Sequence, residues 1–478
     1  MSRINTNVQA MLAQRVLAMQ NNNLSTSLER LSTGLRINRG KDDPSGLIAS
    51  ENLRAEISGI NAAMGNAQRA EQVVNVAEGA LQEISNMLVE LQGLVGSTAN
   101  DAGVSKEEKE ANQLQIDSIL QAIDRIANTT SFQGTKLLNG NYDYQVEGVD
   151  TSELNMIQVN SARMSSGNPI AVDVDVQQAA SNGTLFLSTA TDSLTIELSG
   201  NEGVQQFTFA QGSTLADMAS AINTFEDALG VTATVDGTQV RIDSVGFGQD
   251  AFVNVKTLDG DNVVYDSDGV ADTDGMLKEY GGDAQVSING IQAVTSGLEA
   301  RVATDGFDIS VTLGSINSVD GSSSFSISGG GADFNLSPSV SLAGKVSLAF
   351  QNVSSGNLGH TWTSSGELTS LTDLKSGGAS NVVNGDLARA QSVVDSAVKE
   401  IATMRGRLGA FQKNTIQTAM NSLSIALENT AAAESSIRDT DFAFETAALT
   451  RQQILSQAAT QALLLAKSQP QSVLALLA

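Results

Sequence analysis

The residues that could carry catalysis or bind a metal do not form a recognisable site along this sequence. The single histidine, His360, lies in a stretch rich in Thr, Ser and Gly, which is typical of a turn. The acidic stretch from Asp259 to Asp274 offers the oxygen ligands that calcium prefers. It does not fit an EF-hand, because Val270 stands at the fifth position of a motif begun at Asp266 and no Glu closes the loop. A solvated loop is the simpler interpretation, so we predict no catalytic residue, no metal and no cofactor.

The chemistry that the sequence does favour is association between apolar helical surfaces. Near the carboxyl end, apolar residues recur at steps of four and three, the spacing of a coiled-coil seam, interrupted by Arg451. This predicted seam consists of Phe444, Ala448, Leu455, Ala458, Ala462 and Leu465. The helix is apolar on all sides around Leu464, and Pro470 is predicted to end it. Leu474 and Leu477 follow in an apolar chain end, which we expect a partner surface to cover.

The amino-terminal end carries a matching pattern, and we predict a helix over residues 4–35. Its seam is formed by Leu17, Leu24, Leu28, Leu31 and Leu35. Each fully buried Leu stabilises an interface by roughly 1.5–3 kcal/mol. We therefore predict that both terminal helices provide a polymerisation seam.

Long helices follow the first seam along the chain. Asp43 is a predicted N-cap with Pro44 at the first helical position, and the helix runs to about Thr98, a length of roughly 80 Å. Its apolar pattern slips near Ala77. Ser105 and Glu108 form a capping-box pattern that opens a third helix, and helical patterning returns after Asp386. Breaks at residues 42–43 and 439–441 lie at similar distances from the two ends, so we expect them to lie at the same level of the helical rod.

The middle of the chain has a different composition. Residues 141–380 contain seven Lys and Arg against 30 Asp and Glu, a balance of -23 out of a net charge of -26 for all 478 residues. Short alternating runs predict antiparallel strands, with one helix from Leu215 to Phe225. The acidic balance argues against nucleic-acid binding, and no apolar run is long enough for membrane insertion. Cysteine is absent, and no cleavable signal peptide is visible at the start.

These patterns predict an α+β fold in which the two ends form a long α-helical coiled coil or bundle and a mainly-β outer domain is inserted between them. We predict an inner-core helix at 1–43, a helical wall with β-hairpins at 44–178, and an acidic β-rich outer part at 179–380. The wall helix returns at 381–435, and a second inner-core helix occupies 436–478.

The two ends resemble bacterial flagellin. The resemblance covers roughly residues 1–140 and 386–478, and it rests on segments such as INTNVQAMLAQ, LSTSLERLSTGLRINRGKDDPSG, FQGTKLLNG, RGRLGAFQ, SSIRDTDFAFE and PQSVLALLA. Residues 215–255, with ADMASAINTF, resemble a module found in flagellins and hook-associated proteins. The resemblance implies a subunit of a hollow extracellular filament for motility, with no catalysis. It also implies export without a cleaved signal through the flagellar type III apparatus, an export chaperone, and contacts with cap and hook-associated junction proteins.

The resemblance further implies an innate-receptor site on the second and third helices. The corresponding positions are Val89, Glu90, Leu94 and Gln115. Leu94 fits the family motif, whereas Glu90 replaces a basic residue and Gln115 an acidic one. Two other functions remain open: a hook–filament junction protein, and a secreted adhesin or enzyme-bearing flagellin whose activity lies in the insert.

Overall fold

The computed structural model describes residues 6–100, 103–164, 168–188, 193–259, 264–266, 269, 276–314, 321–362 and 368–477, and only the backbone of 362 and 469–477. The fold is α+β, as predicted. Its helices are α1 (Val8–Thr33), α2 (Pro44–Thr98), α3 (Lys106–Thr129), α4 (Leu215–Asn223), α5 (Glu226–Leu229), α6 (Leu387–Ala410), α7 (Gln417–Arg438) and α8 (Phe442–Leu477). Two short 3-10 helices (Leu342–Gly344 and Leu371–Leu374) and a π-helical turn (Phe411–Ile416) complete the helical elements of the described residues.

The strands of the first half are β1 (Ser131–Phe132), β2 (Thr135–Lys136), β3 (Gln145–Glu147), β4 (Leu154–Ala162), β5 (Ile170–Gln178), β6 (Thr184–Ser188), β7 (Leu194–Ser199), β8 (Val204–Phe209), β9 (Val231–Asp236), β10 (Gln239–Ser244) and β11 (Phe252–Asp259). Those of the second half are β12 (Val264–Tyr265), β13 (Met276–Tyr280), β14 (Gln285–Ile288), β15 (Ile291–Gln292), β16 (Val294–Ser296), β17 (Glu299–Thr304), β18 (Phe307–Leu313), β19 (Gly321–Gly329), β20 (Ala332–Asn335), β21 (Lys345–Leu348), β22 (Thr361–Trp362) and β23 (Leu368–Thr369).

The chain divides into two compact units. The first consists of Met1–Arg69, Asn335–Val340 and Lys413–Ala478, and the second of Ala70–Phe334 and Ser341–Gln412. In the first unit, α1 begins at Val8 because the Oδ1 atom of Asn7 accepts a hydrogen bond from the Ala10 amide at 3.0 Å. It ends at Gly34, which adopts a left-handed conformation with φ of 75°.

Within the first unit, the break at 439–441 is joined to residues 34–36, several residues before the predicted break at 42–43. The amide of Arg36 donates to the carbonyl of Arg438 at 2.7 Å, and the amide of Thr440 donates to the carbonyl of Gly34 at 2.9 Å. Leu35 and Asp439 form an antiparallel bridge between these two bonds. The short extended segments therefore join α1 to α8 at the level where both arms leave the helical conformation.

The bounds of α2 agree with the prediction, but the slip near Ala77 was wrong. Asp43 caps the helix, since its carboxylate accepts from the Gly46 amide at 2.9 Å. Buried residues continue at steps of three and four without a break: Ile60, Ala63, Ala67, Ala70, Val74, Ala77, Leu81, Ile84, Leu88, Leu91, Val95 and Thr98. Alanines occupy four of the five seam positions between Ile60 and Leu81, and the sequence pattern had followed the larger neighbours Met64 and Glu71 instead.

The predicted helix return after Asp386 is also confirmed, and Asp386 caps α6. The seam of this helix reaches Phe411 and resumes at Ile416, so one residue more than a heptad step separates them. The π-helical turn Phe411–Ile416 absorbs that residue, because a π turn adds one residue to a helical turn. The apolar stripe therefore keeps its direction through the insertion.

The second unit contains two antiparallel β assemblies with separate apolar cores. In one, sheets of order β15-β14-β5-β19-β3 and β16-β17-β18-β4 share a buried cluster that includes Val174, Ile309 and Phe325. In the other, sheets of order β12-β6-β10-β9 and β13-β11-β7-β8 enclose a cluster that includes Ile196 and Ile242. The single predicted helix is present as α4, which packs into this second cluster and ends two residues earlier than predicted.

Candidate assembly surfaces

In the first unit, α1 and α8 lie side by side and run in opposite directions. Arg30 forms an ion pair with Glu445 at 3.7 Å, the Ser456 hydroxyl donates to Asn21 at 2.9 Å, and Asn7 donates to the carbonyl of Ala466 at 2.7 Å. The residue numbers rise along one helix as they fall along the other. The two helices thus form an antiparallel pair from Asn7 to Arg30.

The more buried residues of each helix form a heptad stripe, which we call the inner stripe. On α1 it contains Ala13, Leu17, Gln20, Leu24, Ser27 and Leu31, and on α8 it contains Glu445, Leu449, Gln452, Ser456, Ala459, Leu463 and Ala466. Five of these 13 residues are polar. The Oε1 atoms of Gln20 and Gln452 are buried without a hydrogen-bond partner in the described structure. The pair is therefore held by a seam that buries few large apolar side chains and leaves some polar groups unsatisfied.

The predicted carboxyl-terminal seam lies one residue away from the inner stripe of α8. We call this set, with Arg451 included, the outer stripe: Phe444, Ala448, Arg451, Leu455, Ala458, Ala462 and Leu465. Phe444 is 72% exposed, Leu455 40% and Leu465 69%, while Ala448 is half-buried. Successive residues of an α-helix are about 100° apart around its axis, so the two stripes face different directions. The outer stripe of α8 is the more exposed of the two.

Part of the predicted amino-terminal seam lies on the inner stripe of α1, and the rest lies outside it. Leu17, Leu24 and Leu31 are half-buried on the inner stripe, whereas Leu28 is exposed, as are four other large apolar residues of α1. These are Val8, Met11, Leu12 and Met19. Leu35 is half-buried beyond the end of α1, and Leu464 is exposed on a third side of α8. The side chains of Leu474 and Leu477 lie outside the part of the chain that the structure describes.

The predicted end of α8 at Pro470 was wrong, because the helix continues to Leu477. Proline has no amide hydrogen and would leave the carbonyl of Ala466, four residues earlier, without its helical partner. The Nδ2 atom of Asn7 donates to that carbonyl at 2.7 Å. A donor from the other end of the chain thus replaces the missing helical bond, and the helix passes the proline.

The four innate-receptor positions lie on α2 and α3 of the second unit. Val89, Glu90 and Gln115 are exposed, and Leu94 is half-buried. The Asn112 side chain donates to the Thr98 hydroxyl at 3.0 Å, one helical turn from Leu94 and from Gln115. These positions therefore lie at about the same level of the two helices.

A polar latch on α3 was missed by the sequence analysis. Gln113 is buried, and its Nε2 atom donates to the carbonyl of Leu374 at 2.8 Å and to Asp117 at 2.9 Å, while its Oε1 atom accepts from the Val382 amide at 2.9 Å. One and three turns further along α3, the carboxylates of Asp117 and Asp124 bind the same part of the chain, which leads into α6. We call it the returning segment. The signal was a glutamine at a heptad position of an otherwise apolar face, formed by Ile116, Leu120, Ile123 and Ala127.

The two carboxylates of the latch each bind a serine of the segment. Asp117 accepts from the amide of Ser376 at 2.9 Å and from its hydroxyl, and Asp124 accepts from the amide of Ser355 at 2.7 Å and from Lys375 at 3.2 Å. Burial works against the charge of both groups, but the bonds from Ser376 hold the pKa of Asp117 below its usual value. Those from Ser355, with Lys375, do the same for the pKa of Asp124.

We expect Asp124→Asn to remove part of the acid sensitivity of the second unit. Because the folded-state pKa of Asp124 is below the unfolded value of about 3.9, its stabilisation is present above that value and is lost as the pH falls through the folded pKa. The free energy of unfolding in urea, followed by circular dichroism, should drop for the variant at pH 7 and approach the wild-type value near pH 3. Asp236→Asn, at an exposed position, is the control.

The pKa values of two other carboxyl groups of the second unit are shifted in the opposite direction. Burial raises the pKa of Glu400 and of Asp143, so their protonation favours the folded state as the pH falls. The two kinds of carboxyl group change the free energy of unfolding in opposite directions as the pH falls, so the protein as a whole shows only the net effect. For this reason the comparison of Asp124→Asn with wild type is the informative quantity, and a variant curve parallel to wild type at both pH values would contradict the assignment.

The described residues contain no constellation for catalysis. His360 is half-buried, and its backbone carbonyl accepts a bond from the Ser396 hydroxyl at 3.3 Å. No group of three or more His, Cys, Asp or Glu side chains in the described ranges could hold a metal ion. Most of the acidic stretch considered for calcium, at 260–263, 267–268 and 270–275, lies outside those ranges. Among the helices described, none is both long and apolar enough to cross a membrane.

Comparison with known proteins gives a consistent result along the whole chain. Profiles of the bacterial flagellin N-terminal helical region, the bacterial flagellin C-terminal helical region and the flagellin hook IN motif match residues 4–143, 391–477 and 193–245. Polar flagellin B/D of Vibrio parahaemolyticus is 32% identical over 479 residues, with 99% of each chain covered. B-type flagellin of Pseudomonas aeruginosa is 30% identical over 530 residues with the same coverage. The solved structure of flagellar hook associated protein-3 from Legionella pneumophila covers 81% of this chain and 98% of its own, at 14% identity and a TM-score of 0.31.

Proposed function

Because this chain belongs to the bacterial flagellin family, it is a structural subunit of the flagellar filament, and we propose that it polymerises through the outer stripe of α8 and the exposed apolar residues of α1. The observation that carries the proposal is the distribution of apolar residues on these helices. The α1–α8 pair buries a seam in which five of 13 residues are polar, and it exposes large side chains such as Phe444, Leu465 and Met19. A surface of this kind is stabilised when copies of the chain cover it.

We propose that each part of the chain occupies one layer of the filament. Residues 1–43 and 436–478 form the inner core, 44–178 and 381–435 the wall, and 179–380 the outer surface. The acidic charge supports the last assignment, since residues 179–380 contain six Lys and Arg against 24 Asp and Glu, and a solvated surface carries this balance of -18 without needing partners for it. The chain acts without catalysis in this proposal, and the flagellar filament that contains it is extracellular.

We propose the remaining partners on the same apolar surfaces. Before assembly, the exposed stripes need cover, and an export chaperone that holds α8 would provide it during passage through the type III export apparatus without a cleaved signal. At the two ends of the filament, hook-associated junction proteins and the cap meet the same terminal helices. A hook–filament junction protein is the second candidate, but the curated relatives that cover 99% of the chain are named flagellins.

We propose that only one part of the insert is dispensable for polymerisation, and the strand pairing indicates which part. Removing residues 180–378 as a block would leave β4 and β5 without their partners β18, β14 and β19, and would remove the segment held by the α3 latch. In contrast, the described strands β6 to β13 pair only with one another. Ser181 and Gly282 flank this set and form a doubly hydrogen-bonded antiparallel bridge, with N–O distances of 2.9 and 3.0 Å.

We expect a chain without residues 182–281 to form narrower filaments. An Asn-Gly turn can join Ser181 to Gly282, because a hydrogen-bonded antiparallel pair is closed by a two-residue loop. Sedimentation after seeding with filament fragments measures assembly, and negative-stain images measure the width. The wild-type chain in the same assay tests the proposed function itself. Failure of the wild type to pellet would refute that function, whereas failure of the shortened chain alone would show that these residues contribute to assembly.

We propose that this filament stimulates the innate receptor of the flagellin family only weakly. Glu90 places a carboxylate where the family presents a cation, and Gln115 lacks the usual negative charge, so a complementary partner would meet a reversed charge on α2 and no charge on α3. Reporter cells that carry the receptor should respond far less than to a strongly stimulatory flagellin. Glu90→Arg combined with Gln115→Glu should raise the response more than either change alone. An unmodified response equal to that of the stimulatory protein would contradict the proposal.

A further inference from the structure

The side chain of Asn7 makes hydrogen bonds to two different helices. Its Oδ1 atom accepts from the Ala10 amide at 3.0 Å and caps α1. Its Nδ2 atom donates to the carbonyl of Ala466 in α8 at 2.7 Å, across 459 positions of sequence. One side-chain amide therefore accepts a hydrogen bond from the helix at one end of the chain and donates a hydrogen bond to the helix at the other end.

The carbonyl of Ala466 is the one that needs an outside donor. In a regular α-helix this carbonyl accepts from the amide of residue 470, and Pro470 has no amide hydrogen. The helix nevertheless continues without interruption to Leu477. An orphaned carbonyl inside a helix weakens the turns that follow it, and the Asn7 amide removes that defect.

We propose that Asn7, Ala466 and Pro470 form a terminal clasp that lets the last turns of α8 become helical only when the start of α1 is in place. Proline at position 470 makes α8 dependent on α1 at this point, because the residue of α8 that would normally supply the donor has no amide hydrogen. Asn7 is a positioning residue in this arrangement. Through the clasp, the helical structure at one end of the chain depends on that at the other end. This dependence is separate from the proposal that the stripes make contacts in the polymer.

A double-mutant cycle tests the clasp. Asn7→Asp keeps the N-cap acceptor and its favourable charge at the start of α1, but it removes the Nδ2 donor. Pro470→Ala restores an amide hydrogen that can donate to the carbonyl of Ala466 within the helix. Asn7→Ser, which is uncharged, caps α1 and is too short to reach α8, is the matched control for the charge of Asp. Hydrogen exchange of the amides of 467–477 is measured in filaments for each single variant and for the combination.

We expect Asn7→Asp and Asn7→Ser to accelerate exchange at 467–477 about five- to tenfold, the effect of one lost hydrogen bond on local opening. In the Pro470→Ala background both changes should have no effect there. Equal acceleration in the two backgrounds, or none with Pro470 present, would overturn the clasp. If the wild-type chain forms no filaments, the same cycle is measured on the monomer, so failure of polymerisation counts against the proposed function and leaves the clasp to be judged by exchange.

Discussion

Leu455→Asp should stop filament formation while leaving the isolated subunit folded. Leu455 lies in the middle of the outer stripe and is 40% exposed, so the monomer tolerates a carboxylate there. In the proposed polymer the same position is covered by a neighbouring copy. An unpaired buried charge costs on the order of 3 kcal/mol or more, and the lost Leu burial adds roughly 2 kcal/mol. A penalty of about 5 kcal/mol per subunit would raise the concentration needed for assembly on the order of a thousandfold or more.

The measurement is sedimentation after seeding, with circular dichroism to show that the helix content of the monomer is unchanged. Gln457→Asp is the matched control, because Gln457 is exposed on the same helix about 200° from Leu455. It introduces the same charge and should leave assembly near the wild-type level. Normal pelleting of Leu455→Asp would exclude the outer stripe as a seam. Equal failure of both variants would mean that the whole circumference of α8 is covered, and not one stripe.

The offset between the two stripes shows what a heptad pattern can determine. Both stripes of α8 have steps of three and four, and the sequence analysis selected the one with larger apolar residues, such as Phe444 and Leu455. The structure pairs α1 with the other stripe, which contains Glu445, Gln452 and Ser456. Hydrophobicity identified a surface for association, but it could not tell whether the partner was the other helix of the same chain.

Local signals predicted the wall helices well, because the groups that start them are neighbours in sequence. Asp43, Ser105 and Asp386 each cap a helix through amides three residues away. The error at Pro470 had the opposite origin. Its compensating donor, Asn7, lies near the other end of the chain, and no window around the proline contains it. The alanine positions of α2 were missed for a third reason, since a small side chain signals burial only weakly.

The latch on α3 combines these difficulties, because its partners before α6 are 231 or more residues away in sequence. Gln113 stands at a seam position, where a pattern search counts a polar residue as an error. In the structure its amide is satisfied on both sides, by the carbonyl of Leu374 and the amide of Val382. A polar group in a buried seam is tolerated only with such partners. Its presence in the sequence was therefore a sign of a long-range polar contact and not of a weak helix.

Gln113→Leu should destabilise the second unit by about 2–5 kcal/mol, since it leaves two buried backbone groups without partners at roughly 1–3 kcal/mol each. Leu has nearly the volume and the helix propensity of Gln, so neither a cavity nor a weaker α3 accounts for such a loss. The apolar side chain also gains some burial, but that gain is smaller than two unsatisfied groups. Asp117 loses a donor as well, which adds to the same effect.

The test compares Gln113→Leu with Gln115→Leu, which makes the same replacement two residues later at an exposed position of the same helix. Urea unfolding followed by circular dichroism gives the stability, and hydrogen exchange at 374–382 locates the change. We expect a large loss and fast exchange for the first variant and little change for the second. A Gln113→Leu protein within about 0.5 kcal/mol of wild type would mean that water or a shifted backbone satisfies Leu374 and Val382. In that case the returning segment is held to α3 by Asp117 and Asp124 alone, and loss of those carboxylates should then release it completely.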